Sequence, residues 1–158
     1  LEGLRPGELL GLRWADIKGG TVYISRAVNI LGEETQGKNQ NAIRAFALSE
    51  RARAVLDEQR EATGAGESVF ELVSEAYYYK RWQVYCKANG IPPISVYELR
   101  HSFVSVIKSL PAGEVKGLVG HSQSMDTFGV YSHALSGDAA ATADDVNAAF
   151  DRVLGREI

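Results

Sequence analysis

Ala42-Ile43-Arg44-Ala45-Phe46-Ala47-Leu48-Ser49-Glu50-Arg51-Ala52-Arg53-Ala54-Val55-Leu56 holds two periodicities back to back. Up to Leu48 the side chains alternate, with Ile43, Ala45 and Ala47 on one side and Arg44 and Phe46 on the other, as in a strand. From Ser49 the period is helical. Ser49 is placed to cap, Glu50 suits a first turn, and Leu48, Ala52, Val55 and Leu56 make one face. The chain passes from sheet to helix at this point.

Outward toward the N-terminus, the partner of that strand is Thr21-Val22-Tyr23-Ile24-Ser25, rich in β-branched and aromatic residues. Gly32 to Gly37 reads as a polar turn region between them, and Gly19-Gly20 breaks the chain before them. Pro6 and Gly7, followed by Glu8, Leu9, Leu10, Leu12 and Trp14, predict a short helix with proline in its first turn. Toward the C-terminus the pattern is helical throughout. Ser74 caps a helix striped with Tyr78, Trp82 and Tyr85, stopped by Asn89-Gly90 and Pro92-Pro93. A helix from about Val96 to Leu110 presents Leu99, Phe103, Val106, Ile107 and Leu110. A short one follows through Val115, Leu118 and Val119, and a further one carries Thr127 to Ser132. The last, roughly Ala139 to Leu154, presents Val146, Ala149, Phe150, Val153 and Leu154. The predicted class is α+β, mainly helical, with one small antiparallel sheet near the N-terminus.

With 158 residues and 45% apolar content, the expectation is one domain over 1–158 with an ordinary core. No apolar run approaches the ~20 residues of a membrane span. The opening Leu1-Glu2-Gly3-Leu4-Arg5 lacks an initiator Met and a signal-peptide layout. The chain therefore reads as a fragment of a longer protein whose N-terminal portion is absent. Cys86 is the only cysteine; this fits a reducing cytoplasm, and the residue reads as a small buried apolar group. The net charge is −3, which argues against a uniformly basic nucleic-acid binder. The charges are polarised, however. Acids gather over residues 57–75 and 138–157, while Lys38 with Arg44, Lys80 with Arg81, and Arg100 mark basic stretches, so one side is free to hold a phosphate backbone.

No phosphate-cradling glycine loop or dinucleotide fingerprint is present. His101, His121 and His133 have no metal-ligand spacing, so neither a metal nor a cofactor is expected. Four segments remain. They are Gly3-Leu4-Arg5-Pro6-Gly7-Glu8-Leu9, Thr35-Gln36-Gly37-Lys38 leading to Arg44, Tyr97-Glu98-Leu99-Arg100-His101, and Leu118-Val119-Gly120-His121-Ser122 followed by Tyr131-Ser132-His133.

In order and spacing, these segments resemble the tyrosine recombinase (phage integrase) family over Gly3 to His133. Its signature is an arginine in G-L-R-x-x-E-L, a hairpin lysine, H-x-x-R-H, L-G-H and a tyrosine about ten residues on. Matched by position, Arg5 and Arg100 resemble the paired phosphate-binding arginines, Lys38 the hairpin lysine, His121 the second histidine and Tyr131 the nucleophile. The resemblance implies a site-specific recombinase or integrase. Such an enzyme cleaves and rejoins double-stranded DNA through a 3′-phosphotyrosyl intermediate, as a homo-oligomer (tetramer) docked through the C-terminal helix. Two other functions use the same elements: a DNA-binding module of this fold that does not cut, and a type IB topoisomerase-like enzyme. The compact Leu118-to-Tyr131 spacing favours the recombinase.

The residue chemistry points the same way. Phosphodiester cleavage builds negative charge on the non-bridging oxygens, which two guanidinium forks grip as lysines cannot. Such donors are worth ~3–4 kcal/mol each. A phenol with pKa near ~10 needs neighbouring cations to act as a nucleophile, and a lysine beside two arginines suits protonation of the leaving 5′-hydroxyl. Tyr97 departs from the pattern by standing where the family has histidine, three residues before Arg100. It keeps a positioning role on the same helix face but supplies no imidazole. His101 reads as a buried structural hydrogen-bonder, and Arg13 as a partner of Trp14 or Asp16. Arg44, Lys80 and Arg81 are secondary substrate-binding candidates.

Overall fold

Arg5 opens the first helix: its backbone is extended and Pro6 occupies the first helical position of α1 (Pro6–Leu10). Proline lacks only an N–H that the first turn leaves unpaired in any case. The computed structural model of the chain describes residues 2–35, 43–64, 66–120 and 138–155. A 3-10 turn, Trp14–Asp16, leads into β1 (Ile17–Lys18), which pairs antiparallel with β2 (Thr21–Ile24). A two-residue hairpin connection favours positive φ, and Gly19 and Gly20 adopt 56° and 78°.

On its other side β2 pairs antiparallel with β5 (Arg44–Ala47), giving the order β1-β2-β5. The register sets Val22 opposite Phe46 and Ile24 opposite Arg44. Residues two apart share a strand face, so Arg44 enters the interior on the same face as buried Phe46, Val22 and Ile24. The polar region expected from Gly32 is in part a second ribbon. There β3 (Ala27–Val28) pairs with β4 (Glu34–Thr35). Its turn is closed by the Oδ1 of Asn29, which accepts from the backbone N–H of Leu31 and Glu33 at 2.9 and 3.0 Å.

Serine caps set the starts of three helices. The Oγ atoms of Ser49, Ser74 and Ser95 accept from Ala52, Tyr77 and Glu98 at 3.2, 3.1 and 3.2 Å. They open α2 (Glu50–Thr63), α3 (Glu75–Ala88) and α4 (Val96–Ile107). α2 buries Ala52 and Leu56, but Val55, expected on that face, is exposed. On α3, Tyr78 and Trp82 are half-buried and Cys86 is buried. Tyr85 lies outside, its ring stacked on Trp82 with centroids 5.7 Å apart. α4 stops before Leu110, which is buried in the turn beyond it. α5 (Ala112–Val119) ends on Gly120 at φ 65°.

The last helix, α6 (Asp138–Leu154), packs on α4, α2 and β5. Ala143, Val146 and Ala149 are buried, and Phe150 lies against Phe103 with ring centroids 6.0 Å apart. Arg51 and Asp151 tie it to α2 at 2.6 Å. Val153 and Leu154, expected to continue the apolar face, are exposed. Arg13 does not stack on Trp14: it pairs with Glu34 and, at 2.8 Å, with Glu67. Asp16 takes Arg26 at 2.5 Å, and the guanidinium of Arg60 lies 4.6 Å from the Trp14 ring centroid.

Among the described residues the architecture is α+β, mainly helical, with small antiparallel sheets in the N-terminal part. One apolar cluster joins α1, β2, β5, α2, α4, α5 and α6. No described helix is long and apolar enough to cross a membrane.

Candidate active site

Glu8 stands at the third position of α1, so its carboxylate folds back on the helix start. It accepts from the backbone N–H of Arg5 at 2.9 Å and from Arg5 Nη1 at 2.7 Å. Arg44 approaches from β5 and places its fork across both oxygens, Nη1 on Oε1 at 2.9 Å and Nη2 on Oε2 at 2.8 Å. Glu8 and Arg44 are each only 3% exposed, whereas the side chain of Arg5 is 36% exposed.

Arg100 arrives from α4 and is 7% exposed. Its Nη1 donates to the carbonyl of Gly3, and its Nη2 to that of Val119 at 2.5 Å. Gly3 is needed there: it sits at φ 68°, and a Cβ would come within 2.5 Å of the Phe103 ring. Arg44 Nε takes the carbonyl of Leu118 at 2.9 Å, and Arg5 Nη2 that of Gly120 at 2.8 Å. Three arginines from three elements therefore grip three consecutive carbonyls where α5 ends. A cavity of about 50 Å³ beside Arg100 is walled by Tyr78, Leu99 and Pro6.

Among the described residues, three guanidiniums face one carboxylate at this point. Burial pushes Arg100 down, and the charge of Arg5 pushes it further, with Arg44 in the same direction. Glu8 and Tyr97 oppose this, and the result is about 10. Arg100 remains charged at neutral pH but in a place that disfavours the charge. An anion bound there relieves the repulsion, so the cluster is suited to a phosphate.

Burial acts to raise Glu8, but the fork and charge of Arg44, joined by the hydrogen bonds of Arg5, hold it at about 2 against the usual 4.5. The folded state thus binds this proton less tightly than the unfolded chain. Its contribution to stability is complete above pH 4.5 and is lost as pH falls toward 2. The size is roughly 3 kcal/mol. Glu2 has the opposite sign, because burial raises its carboxyl. Urea melts between pH 2 and 6 are therefore expected to show a steeper acid loss in the wild type than in Glu8→Gln. Parallel curves would remove Glu8 as the cause.

The structure brings Arg5 and Arg100 together on neighbouring carbonyls. Lys38, His121 and Tyr131 lie outside the described residues, although α5 carries the chain to residue 120. Tyr97 is 44% exposed on α4, near enough to affect the charge of Arg100. Arg44 is buried with its fork on Glu8. Lys80 and Arg81 are exposed on α3, with the Arg81 guanidinium 5.9 Å from the Tyr77 ring centroid. His101, expected to be buried, is exposed. It is one residue on from Arg100, off the face that Arg100, Phe103 and Ile107 share. The sequence reading assigned no role to Glu8. Its signal was an acid three residues after Arg5 and followed directly by Leu9 and Leu10, a setting that, once buried, requires a cationic partner.

The phage integrase family model matches residues 1–137. The ICEBs1 integrase of Bacillus subtilis (strain 168) is 25% identical over 174 residues, covering 93% of this chain and 46% of the relative. A protein described as tyrosine recombinase XerC-like, from Caldanaerobacter subterraneus subsp. tengcongensis, is 25% identical over 183 residues, covering 94% and 47%. The chain spans about half the length of these curated relatives. Among solved structures, the Tn1549 transposon integrase in complex with transposon right end DNA has a TM-score of 0.65 at 18% identity, covering 98% of this chain and 56% of that one. The same integrase with circular intermediate DNA gives 0.60. These two likenesses are of fold.

Proposed function

The chain belongs to the phage integrase family, and on that premise we propose that it is the catalytic domain of a longer tyrosine recombinase. It cleaves and rejoins double-stranded DNA by a 3′-phosphotyrosyl bond, in the integration or excision of a mobile element, in the cytoplasm. The observation that carries this reading is the convergence of Arg5 and Arg100 beside Glu8, where three guanidiniums meet one carboxylate among the described residues.

The scissile phosphate sits against Arg5 and Arg100, whose donors take the non-bridging oxygens as their charge grows. Tyr131 Oη, its proton lost to solvent, attacks phosphorus as the phenolate favoured by the nearby cations, while the bond to the 5′-oxygen breaks. Lys38 supplies the proton that makes the departing group a neutral 5′-hydroxyl. His121, one residue beyond the gripped carbonyl of Gly120, contacts the phosphate, and Tyr97 helps to position it. The phosphotyrosine conserves the ester bond, so the 5′-hydroxyl of another strand attacks it and releases Tyr131. Lys80 and Arg81 on the exposed side of α3 hold the DNA backbone. A homotetramer on DNA joins through the end of α6, where Val153 and Leu154 are exposed while the rest of its apolar face is covered within the chain.

A nicked suicide substrate tests this. The full-length protein is expected to form a denaturant-resistant adduct on the 3′ side of the nick, and digestion maps the nucleotide to the peptide containing Tyr131. Tight DNA binding without an adduct would replace the recombinase with a binding module. Relaxation of supercoiled plasmid without sequence preference would indicate a topoisomerase.

A further inference from the structure

Burying charge does not by itself stabilise a fold. An ion pair taken out of water returns little more than its desolvation costs, and apolar residues of similar volume often serve as well. If the interior behind α1 needed only to be filled, a methionine at position 44 would suffice. What a methionine lacks is direction. Arg44 sets one nitrogen on each oxygen of Glu8 at 2.9 and 2.8 Å and its Nε on the carbonyl of Leu118 at 2.9 Å. Glu8 in turn holds the backbone N–H and Nη1 of Arg5. The other nitrogen of Arg5 rests on Gly120, two residues beyond the carbonyl that Arg44 secures. Both supports of the Arg5 guanidinium therefore lead back to Arg44.

We propose that Arg44 is a positioning residue: it holds Glu8 and the end of α5 so that Arg5 is presented to the phosphate. The inference rests on the recombinase reading above. It divides the arginines by exposure. Arg44, at 3%, acts only through its neighbours, whereas Arg5, at 36%, is open to substrate. The same grip on α5 sets the backbone from which the chain enters residue 121.

Removing Arg44 takes from Glu8 the partner that most strongly holds its carboxyl down, and burial then pushes the carboxyl up. Once protonated, Glu8 no longer anchors Arg5 as a charge. Among the described residues, the charged groups facing Glu8 are Arg5 at the start of α1, Arg44 from β5 and Arg100 from α4. Packed against α1, β3 consists of Ala27 and Val28, and α3 brings Tyr78 to the cavity wall. None of these replaces the Arg44 charge, so a pH dependence absent from the wild type is expected in its place.

The test uses the full-length protein with Arg44→Gln and Arg44→Lys. Single-turnover adduct formation is followed from pH 5 to 9, DNA affinity is measured separately, and the Glu8 carboxyl is titrated by carbon-13 NMR. Arg44→Gln is expected to slow adduct formation roughly 10- to 100-fold, the scale of a small misplacement of a reacting group. DNA affinity should stay within about threefold, since Arg44 is only 3% exposed. Glu8 should titrate above its usual 4.5 instead of at about 2, and an acid limb should enter the rate profile at the same pH. Arg44→Lys, keeping one charge on Glu8, should recover part of the rate and move the limb back down.

A wild-type rate in folded Arg44→Gln overturns the proposal. So does a loss that is uniform across pH and not relieved by lysine, or an unchanged Glu8 titration. If the glutamine variant does not fold, the lysine variant decides by whether its Glu8 titration and acid limb shift together. Failure of the wild type to form any adduct would remove the recombinase reading, and the Glu8 titration would still show whether Arg44 governs the carboxylate.

Discussion

Tyr131→Phe is expected to form no detectable covalent adduct with a nicked substrate while binding DNA about as well as the wild type. The phenylalanine keeps the ring and removes only the oxygen that would bond to phosphorus. Loss of a covalent nucleophile costs on the order of 10⁶-fold in well-studied hydrolases, well beyond what the arginine cluster compensates. Gel assays with labelled DNA and a denaturing step read the adduct, and anisotropy reads binding. An adduct that persists would move the nucleophile to another tyrosine. Among the described residues, Tyr97 is the one that affects the charge of Arg100, and Tyr78 shares the cavity wall with it. Burial raises the Tyr78 phenol, making it a poorer source of phenolate, so Tyr97 would be the next residue to replace.

The parts of the fold that were legible are those set by neighbours in sequence. Ser49 and Ser74, expected as caps, each satisfy an orphan N–H three residues on, a local event that depends on no distant contact. The Gly19-Gly20 turn and the Val22 and Phe46 strands follow for the same reason. The ribbon of β3 and β4 was not legible, because two-residue strands have no period to detect. Helical periodicity finds the centre of a buried face but not its edges, which depend on how far the covering elements extend. Val55, Val153 and Leu154 all lie at such edges.

The site divides in the same way. Arg5 and Arg100 stood out through the resemblance of their segments to the family's motifs, and the structure sets them on neighbouring carbonyls. The bond between Glu8 and Arg44 spans 36 residues. Nothing local distinguishes Arg44 on an alternating strand from an exposed cation reaching for DNA. The pairing Ile24 with Arg44 decides it, since that register turns the guanidinium inward under α1. Residue type suggested Arg44 as a secondary substrate contact; the structure shows its fork on an internal carboxylate.

Arg100→Lys is expected to slow cleavage roughly 10²- to 10³-fold, with the fold retained. The estimate is the usual cost of removing one preorganised donor from a developing oxyanion, and the structure supplies the reason the loss is not smaller. A guanidinium has five N–H donors in a planar fork. Arg100 spends one on Gly3 and one on Val119, so its plane is fixed from both sides before substrate arrives. A lysine in the same place is a single point charge on a flexible stem, and the carbonyls that steady the fork compete with phosphate for it. The setting also works against its charge. The burial and neighbouring cations that bring Arg100 down to about 10 act on a side chain whose usual pKa is already near ~10.4, so an increasing fraction is neutral as pH rises. The variant's deficit should therefore widen between pH 7 and 9, a trend that a merely loosened fold would not produce. Single-turnover cleavage across that range, with melting temperatures as the control, separates the two. Near-normal turnover in a folded Arg100→Lys protein would remove the fork from the phosphate and leave Arg100 a strut between Gly3 and α5.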